Sequence, residues 1–201
     1  MKIVILGGGI AGLAFGSIMQ KKGHKVVINE RCDSISLGGN AFMMHEEGMA
    51  VLKQILNEEN QFRTYNINKF ILKRPNDAEV MDTPMESWRC MKRADLITSL
   101  TNSVVKDSIK YNRAFSHFIY NKGTAVAAVF ENGDVETGDI FVGSDGCNSQ
   151  VRQLLFGETA FTKVEVQEIL GVVKDSTISE EHTSELQSHS DLVCRLLLEK
   201  K

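Results

Sequence analysis

The apolar positions of the chain follow two periods. KIVIL, residues 2–6, is short, apolar and β-branched, the pattern of a parallel strand buried on both faces. KVVINE, residues 25–30, repeats it, and the stretch from near Ile10 through LAFGSIMQKKG reads as the helix between them. RCDSISLGGNAFMM then reads as a loop carrying Gly38-Gly39. In EEGMAVLKQILNEE, Met49, Leu52, Ile55 and Leu56 recur at helical spacing. KFILKRPNDAEVMDTPMESWRCMKR predicts extended segments with a turn at Pro75-Asn76-Asp77. RADLITSLTNSV is helical, with Leu96, Leu100 and Val104 on one face and Ala94 and Ile97 alongside. GTAVAAVFENGDVETGDIFVGSDG predicts a hairpin with a type I′ turn at Asn132-Gly133, then a short apolar strand over residues 140–143. NSQVRQLLFG opens a further helix, with Asn148 or Ser149 as its cap, and FTKVEVQEILGVV reads as a last strand. The alternation predicts an α/β fold with a parallel sheet, in which residues 2–6, 25–30 and 140–143 are neighbours and the hairpin forms a small antiparallel ribbon.

The segment between the first strand and helix carries the most chemistry. Gly7-Gly8-Gly9-Ile10-Ala11-Gly12 has a strand before it and a helix after it. Gly7 permits a tight turn, Gly9 lets the backbone approach a pyrophosphate, and Gly12 lets the helix pack closely on the strand. The helix start aims free N–H groups and its positive dipole end at the phosphates. Glu30, closing the next strand, is placed to accept hydrogen bonds from a ribose diol. A second turn, Ser144-Asp145-Gly146, also lies between a strand and a helix. In such sheets ligands sit at the carboxyl ends of the strands, so both turns are expected on one crevice.

Composition narrows the class. A formal net charge of −3 gives no ground for a nucleic-acid or anionic-membrane partner. No stretch is apolar for long enough to span a membrane, and the N-terminal apolar run is the glycine loop itself. Cys32, Cys90, Cys147 and Cys194 are far apart with no CxxC pair, which argues against a disulfide scaffold or zinc site and fits a reducing cytoplasm. His24, His45 and His117 are isolated in sequence and read as structural or surface groups. Phe42, Met43 and Met44 read as core packing, with the lining of a ligand cavity as the alternative.

With these motifs in order from Met1 to about Gly157, the chain resembles the flavin-dependent aromatic hydroxylases, the group A monooxygenases related to p-hydroxybenzoate hydroxylase and the tetracycline-degrading monooxygenases. The resemblance implies a Rossmann-like FAD-binding domain. GGGIAG…NER matches the first FAD fingerprint, so Gly7, Gly9, Ala11, Gly12 and Glu30 are implied contacts to the ADP half of FAD, with Arg31 beside ribose and adenine. RADL matches the Arg-x-x-Leu segment and implies Arg93 as an FAD contact. SDGCNSQVR matches the acid–glycine motif, placing Asp145 and Gly146 near the pyrophosphate. The family often has an arginine just before the double glycine; here the residue is Leu37. The implied activity is hydroxylation or epoxidation of a small organic substrate, with an aromatic one favoured, by O₂ through a flavin C4a-hydroperoxide, with NAD(P)H as transient electron donor. No side chain is implied as catalytic and no metal is implied. Other FAD-dependent oxidoreductases (a reductase, dehydrogenase or halogenase) and a non-catalytic dinucleotide-binding module are the alternatives.

The expected organisation is an FAD-binding domain over residues 1–157, with substrate-domain strands inserted at about 66–92 and a truncated substrate domain starting at 158–178. The family's later Gly-Asp flavin segment is missing, so the chain is expected to be an inactive N-terminal part of the enzyme. Residues 179–201 are expected to be non-native. EEHTSELQSHSDLVCRLLLEKK back-translates in one frame to a string resembling a common short-read sequencing adapter, a six-base barcode and a poly-A run. The alternative is an amphipathic C-terminal helix.

Overall fold

The computed structural model describes residues 1–39, 41–57, 61–74, 78–158, 160–162, 166–173 and 192–199. The chain divides into two compact units: residues 1–37, 49–62 and 95–160 form the first, and 38–48, 63–94 and 161–201 the second.

The first unit is built on a four-stranded parallel sheet. Strand β1 (Lys2–Leu6) is central, flanked by β2 (Lys25–Asn29) and by β10 (Ile140–Gly143), and the two-residue β6 (Ile109–Lys110) extends β2. The three longer strands are the expected neighbours. Leu6 is in register with Asn29 on one side and Gly143 on the other. All three strands therefore end level, and the turns that follow them leave from one edge.

The two faces of β1 are covered differently. Helix α1 (Ile10–Lys21) lies against one face, where Gly16 lets it come close: a Cβ there would stand 2.8 Å from Ile28 Cδ1 and 3.3 Å from Ile5 Cδ1. Helix α3 (Arg93–Asn102) buries Leu96, Ile97 and Leu100 completely, and Ser17 Oγ on α1 donates to the Ser103 carbonyl just beyond α3 at 3.1 Å. Helix α2 (Glu46–Ile55) buries Leu52 and Ile55. Lys21 Nζ donates to the carbonyls of Gln54 and Ile55 at 2.7 and 2.5 Å, where a cation complements the negative end of that helix. On the other face sits an antiparallel ribbon of β7 (Phe115–Asn121), β8 (Thr124–Phe130) and β9 (Val135–Thr137). Val4 and Leu6 join Phe115, Phe118, Ala128 and Phe130 there in one buried cluster, closed by Val151 of α4 (Gln150–Phe156).

The ribbon corrects one turn assignment. Asn132-Gly133 does join β8 to β9, but only Gly133 has positive φ (86°), and its N–H donates to the Phe130 carbonyl at 2.9 Å. That is a type I turn closed by a glycine bulge, since type I′ requires positive φ at both central residues. Asn132 instead uses its side chain, whose Oδ1 accepts from Asp134 N at 3.0 Å. The type I′ geometry occurs between β7 and β8, where Lys122 (φ 49°) and Gly123 (φ 82°) separate the paired Asn121 and Thr124.

In the second unit, β3 (Ala41–Met44), β5 (Glu79–Lys92) and β4 (Tyr65–Lys73) form an antiparallel sheet in the order β3-β5-β4. The end of RCDSISLGGNAFMM is thus strand rather than loop, because residues 89–92 of β5 offer it a partner. Phe42, Met43 and Met44 are not core: Met43 is 42% exposed and its neighbours are half-buried. The turn expected at residues 75–77 lies outside the described residues. The last strand appears as β11 (Val166–Val173), paired antiparallel with β12 (Leu192–Glu199). The alternative of a C-terminal helix fails at residues 192–199, where pairing with β11 satisfies the backbone instead; residues 174–191 lie outside the described residues.

Candidate functional site

The carboxyl edge of the parallel sheet carries the glycine loop between β1 and α1. At Gly7 φ is +111°, and a Cβ would stand 2.4 Å from the Ser144 carbonyl oxygen. At Gly12 a Cβ would stand 2.1 Å from the Gly7 carbonyl oxygen and 2.7 Å from Ser144 Oγ. At Gly9 nothing lies within 4 Å of the corresponding position. Two glycines thus close the loop on itself while the middle one faces open space. Such a cradle fits a pyrophosphate that must reach backbone N–H groups.

The electrostatics agree. The first intrahelical bond of α1 runs from Leu13 N to the Gly9 carbonyl at 2.9 Å, so the N–H groups of Ile10, Ala11 and Gly12 precede the helical ladder. The first turn has no acidic residue to offset the positive end of the helix dipole. Glu30, just past β2, accepts from Gly8 N through Oε2 at 2.8 Å and from Cys32 N through Oε1 at 3.0 Å. Each oxygen keeps a lone pair, and the two bonds fix the carboxylate beside the loop. Arg31 next to it is exposed.

The second turn is joined to the first by its own first residue, Ser144. Its N–H donates to the Leu6 carbonyl at 2.8 Å, and its hydroxyl lies 2.8 Å from the Gly7 carbonyl. Asp145 turns its carboxylate into its own loop. Oδ1 accepts from Ser149 Oγ at 2.6 Å and Oδ2 from Val151 N at 3.1 Å, while Ser149 Oγ caps α4 by accepting from Arg152 N at 2.9 Å. Gly146 has φ +85° with nothing within 4 Å of a would-be Cβ. The only signal for Ser144 was its position immediately before the acid–glycine pair.

Arg93 lies in the second unit. Its guanidinium Nη1 donates to the Gly38 carbonyl, and its Cδ fills the space beside Gly39, which has φ +98°. His45 is less isolated than its sequence position implies. Its ring meets Trp88 edge-on at 5.2 Å and pairs with Glu47, and with Glu46 these groups lie within 4.8 Å of one another. Exposed acids gather this way without an ion, and nothing further at this point indicates a metal.

Charge elsewhere in the first unit is structural. Burial raises the cost of ionising Glu136, but hydrogen bonds and charge from Lys2 (2.6 Å) and Arg113 (2.8 Å) outweigh it and hold the carboxyl below its usual range. An open cleft of about 720 Å³ reaches the opposite end of the strands, lined by Lys2, Lys25 and Lys106 among others. It adjoins the C-terminal end of α1, and open α/β sheets bind ligands at the other edge. We therefore take the glycine edge as the site.

The chain is similar to several known proteins. Monooxygenase 1 of Arabidopsis thaliana is 28% identical over 158 residues, covering 76% of this chain and 40% of that protein. The 6-hydroxynicotinate 3-monooxygenase of Pseudomonas fluorescens is 24% identical over 167 residues, covering 78% and 43%. The structure of 2,6-dihydroxypyridine-3-hydroxylase from Arthrobacter nicotinovorans superposes with a TM-score of 0.76 at 18% identity, covering 92% of this chain and 46% of that one. The chain spans less than half the length of each of these proteins. The family model described as the FAD binding domain matches residues 1–194, and the chain belongs to that family.

Proposed function

We propose that this chain is the cofactor-binding part of an FAD-dependent monooxygenase that hydroxylates or epoxidises a small organic substrate, with an aromatic ring as the favoured class. The observation that carries the reading is the glycine cradle, closed at Gly7 and Gly12 and open at Gly9, with Glu30 fixed beside it. Substrate, O₂, NAD(P)H and a proton give oxygenated substrate, NAD(P)⁺ and water. FAD supplies the electron transfer and oxygen activation when bound. The N–H groups at Gly9, Ile10, Ala11 and Gly12 hold the pyrophosphate, and Gly7 sets the turn. Glu30 accepts from the ribose hydroxyls, and Arg31 lies against ribose and adenine. Asp145 and Gly146 present the second turn to the phosphates, Arg93 is a further FAD contact, and no side chain is assigned as catalytic.

Residues 1–157 are the FAD-binding domain, and the strands at about 66–92 belong to a substrate domain that continues at 158–178. Cys32, Cys90 and Cys147 are free thiols, in keeping with a cytoplasmic setting. No described helix is long and apolar enough to cross a membrane.

The test has two stages. The chain is titrated with FAD and, separately, NAD⁺; retained FAD supports the reading, whereas NAD⁺ affinity without flavin affinity would make it a different dinucleotide module. The whole protein is then supplied with ¹⁸O₂ and NAD(P)H in the presence of candidate aromatic substrates. One labelled oxygen in the product supports a monooxygenase. Flavin turnover with no label incorporated would reassign it to another oxidoreductase class.

A further inference from the structure

Arg113 lies between β6 and β7, and its guanidinium is largely buried, with 17% of the side chain exposed. Nε donates to Asp134 Oδ2 at 2.9 Å, and Nη1 donates to Glu136 Oε2 at 2.8 Å and to Asn29 Oδ1 at 3.1 Å. The guanidinium also lies over the Phe130 ring, 5.4 Å from its centroid. The two acids explain the charge pairing. They do not explain the third contact, to a neutral amide that is 1% exposed at the carboxyl end of an inner strand.

Asn29 is the last residue of β2, immediately before Glu30. Arginine can only donate, so its contact fixes Asn29 with Oδ1 outward and Nδ2 inward. Nδ2 then donates to the Ile5 carbonyl on β1 at 3.3 Å, while the Asn29 carbonyl accepts from Gly7 N at 2.8 Å. The backbone of Arg113 completes the arrangement, its N–H donating to the Glu30 carbonyl at 2.9 Å. One residue thus holds both sides of the place where β1 enters the glycine loop and β2 delivers the ribose acid.

We propose that Arg113 is a positioning residue for the adenosine half of the cofactor, acting through Asn29 on the turn that carries Gly7 and Glu30. The inference rests on the FAD reading above and adds a residue outside every motif that supports it. Arg113 touches neither ribose nor phosphate. It fixes the angle at which Glu30 meets the ribose, because its fork reaches the acids of the ribbon and the amide of β2 at once. A lysine at this position keeps the charge but is a single point donor that cannot span both sides.

The experiment compares ADP with 2′-deoxy-ADP by calorimetry on the full chain, alongside thermal melting. The wild-type chain is expected to prefer ADP about tenfold, since one hydrogen bond to Glu30 is lost with the 2′-hydroxyl. R113M is expected to weaken ADP binding about tenfold and to shrink the preference to about twofold. R113K, which keeps the charge beside Glu136 and Asp134, is the variant to read should R113M not fold, and it should show the same loss of preference. Phe118→Leu thins the core under the same ribbon without touching Asn29; it should lower Tm and keep both affinity and preference. A preserved tenfold preference in R113K overturns the proposal, as does an equal loss of preference in Phe118→Leu. Absence of ADP and FAD binding by the wild-type chain would instead overturn the FAD reading, and the proposal with it.

Discussion

The contrast between Gly9 and Gly12 gives the sharpest test of the site. Replacing Gly12 by alanine puts a methyl group 2.1 Å from the Gly7 carbonyl oxygen, where ordinary van der Waals contact begins near 3.4 Å. The partner atom is backbone, so α1 must back away by about 1 Å, and overpacking of this kind costs about 1–3 kcal/mol. The methyl group also stands 2.7 Å from Ser144 Oγ and pushes that hydroxyl off the Gly7 carbonyl, adding about 1 kcal/mol. Gly12→Ala should therefore destabilise the chain by roughly 2–4 kcal/mol. Gly9→Ala meets nothing within 4 Å and has φ −78°, which alanine adopts freely. Its poorer capping and the lower entropy of its unfolded chain nearly cancel, leaving a net change of about 0.5 kcal/mol or less. Its methyl group occupies the space assigned to the pyrophosphate, so FAD affinity should fall at least tenfold, or about 1.4 kcal/mol. Urea unfolding and FAD titration of the two variants separate the effects. Wild-type affinity in Gly9→Ala would refute the cradle, and wild-type stability in Gly12→Ala would refute the close-packing argument.

Glu30→Ala removes a charge-assisted acceptor of about 1.5–3 kcal/mol and frees the Gly8 N–H, so FAD titration should show roughly a ten- to hundredfold loss. Glu136 has a folded pKa held below its unfolded value, so its contribution is complete above the unfolded value of about 4.3 and disappears as pH falls through the folded one. Urea midpoints measured from pH 7 to pH 3 should fall less steeply for Glu136→Gln than for wild type, and parallel profiles would refute the assignment. Amplification of the gene from source DNA, with primers outside the read, should give codons after Ile178 that do not encode EEHTSELQSHSDLVCRLLLEKK; recovering that string followed by a stop codon would refute the adapter reading.

What was legible in the sequence was what neighbouring residues determine. The strand–glycine–helix unit at residues 2–21 is legible because strand, glycines and helix follow one another directly in the chain, even though Gly7 and Gly12 also close on the distant Ser144, and the apolar runs are buried whichever neighbour covers them. The Ser149 cap was legible for the same reason. What escaped depends on distant partners. Ala41–Met44 becomes a strand only because residues 89–92 pair with it, and its alternation is too short to show by itself. Asn132-Gly133 carried the usual I′ signal, yet Asn132 bonds Asp134 and the bulge at Gly133 results, while the less distinctive Lys122-Gly123 makes the two-residue turn. Ser144 and Arg113 act on residues more than 80 positions away, so no spacing rule reaches them.

The central strand also has a history in time. α1 and β2 leave the ribosome directly after β1, so one face and one edge of it are covered early. Its other edge waits for β10, whose residues lie about 137 positions further on. At roughly 5–20 residues per second of synthesis, that wait is roughly 7–27 s. Throughout it, an apolar strand presents an open row of N–H and C=O groups, the kind of surface that pairs with other nascent chains. The ribbon that covers the remaining face is made in the last part of the same interval. The glycine loop is therefore complete in sequence long before Ser144 arrives to hold it, and chaperone dependence during synthesis should be greatest for the stretch of translation between β2 and β10.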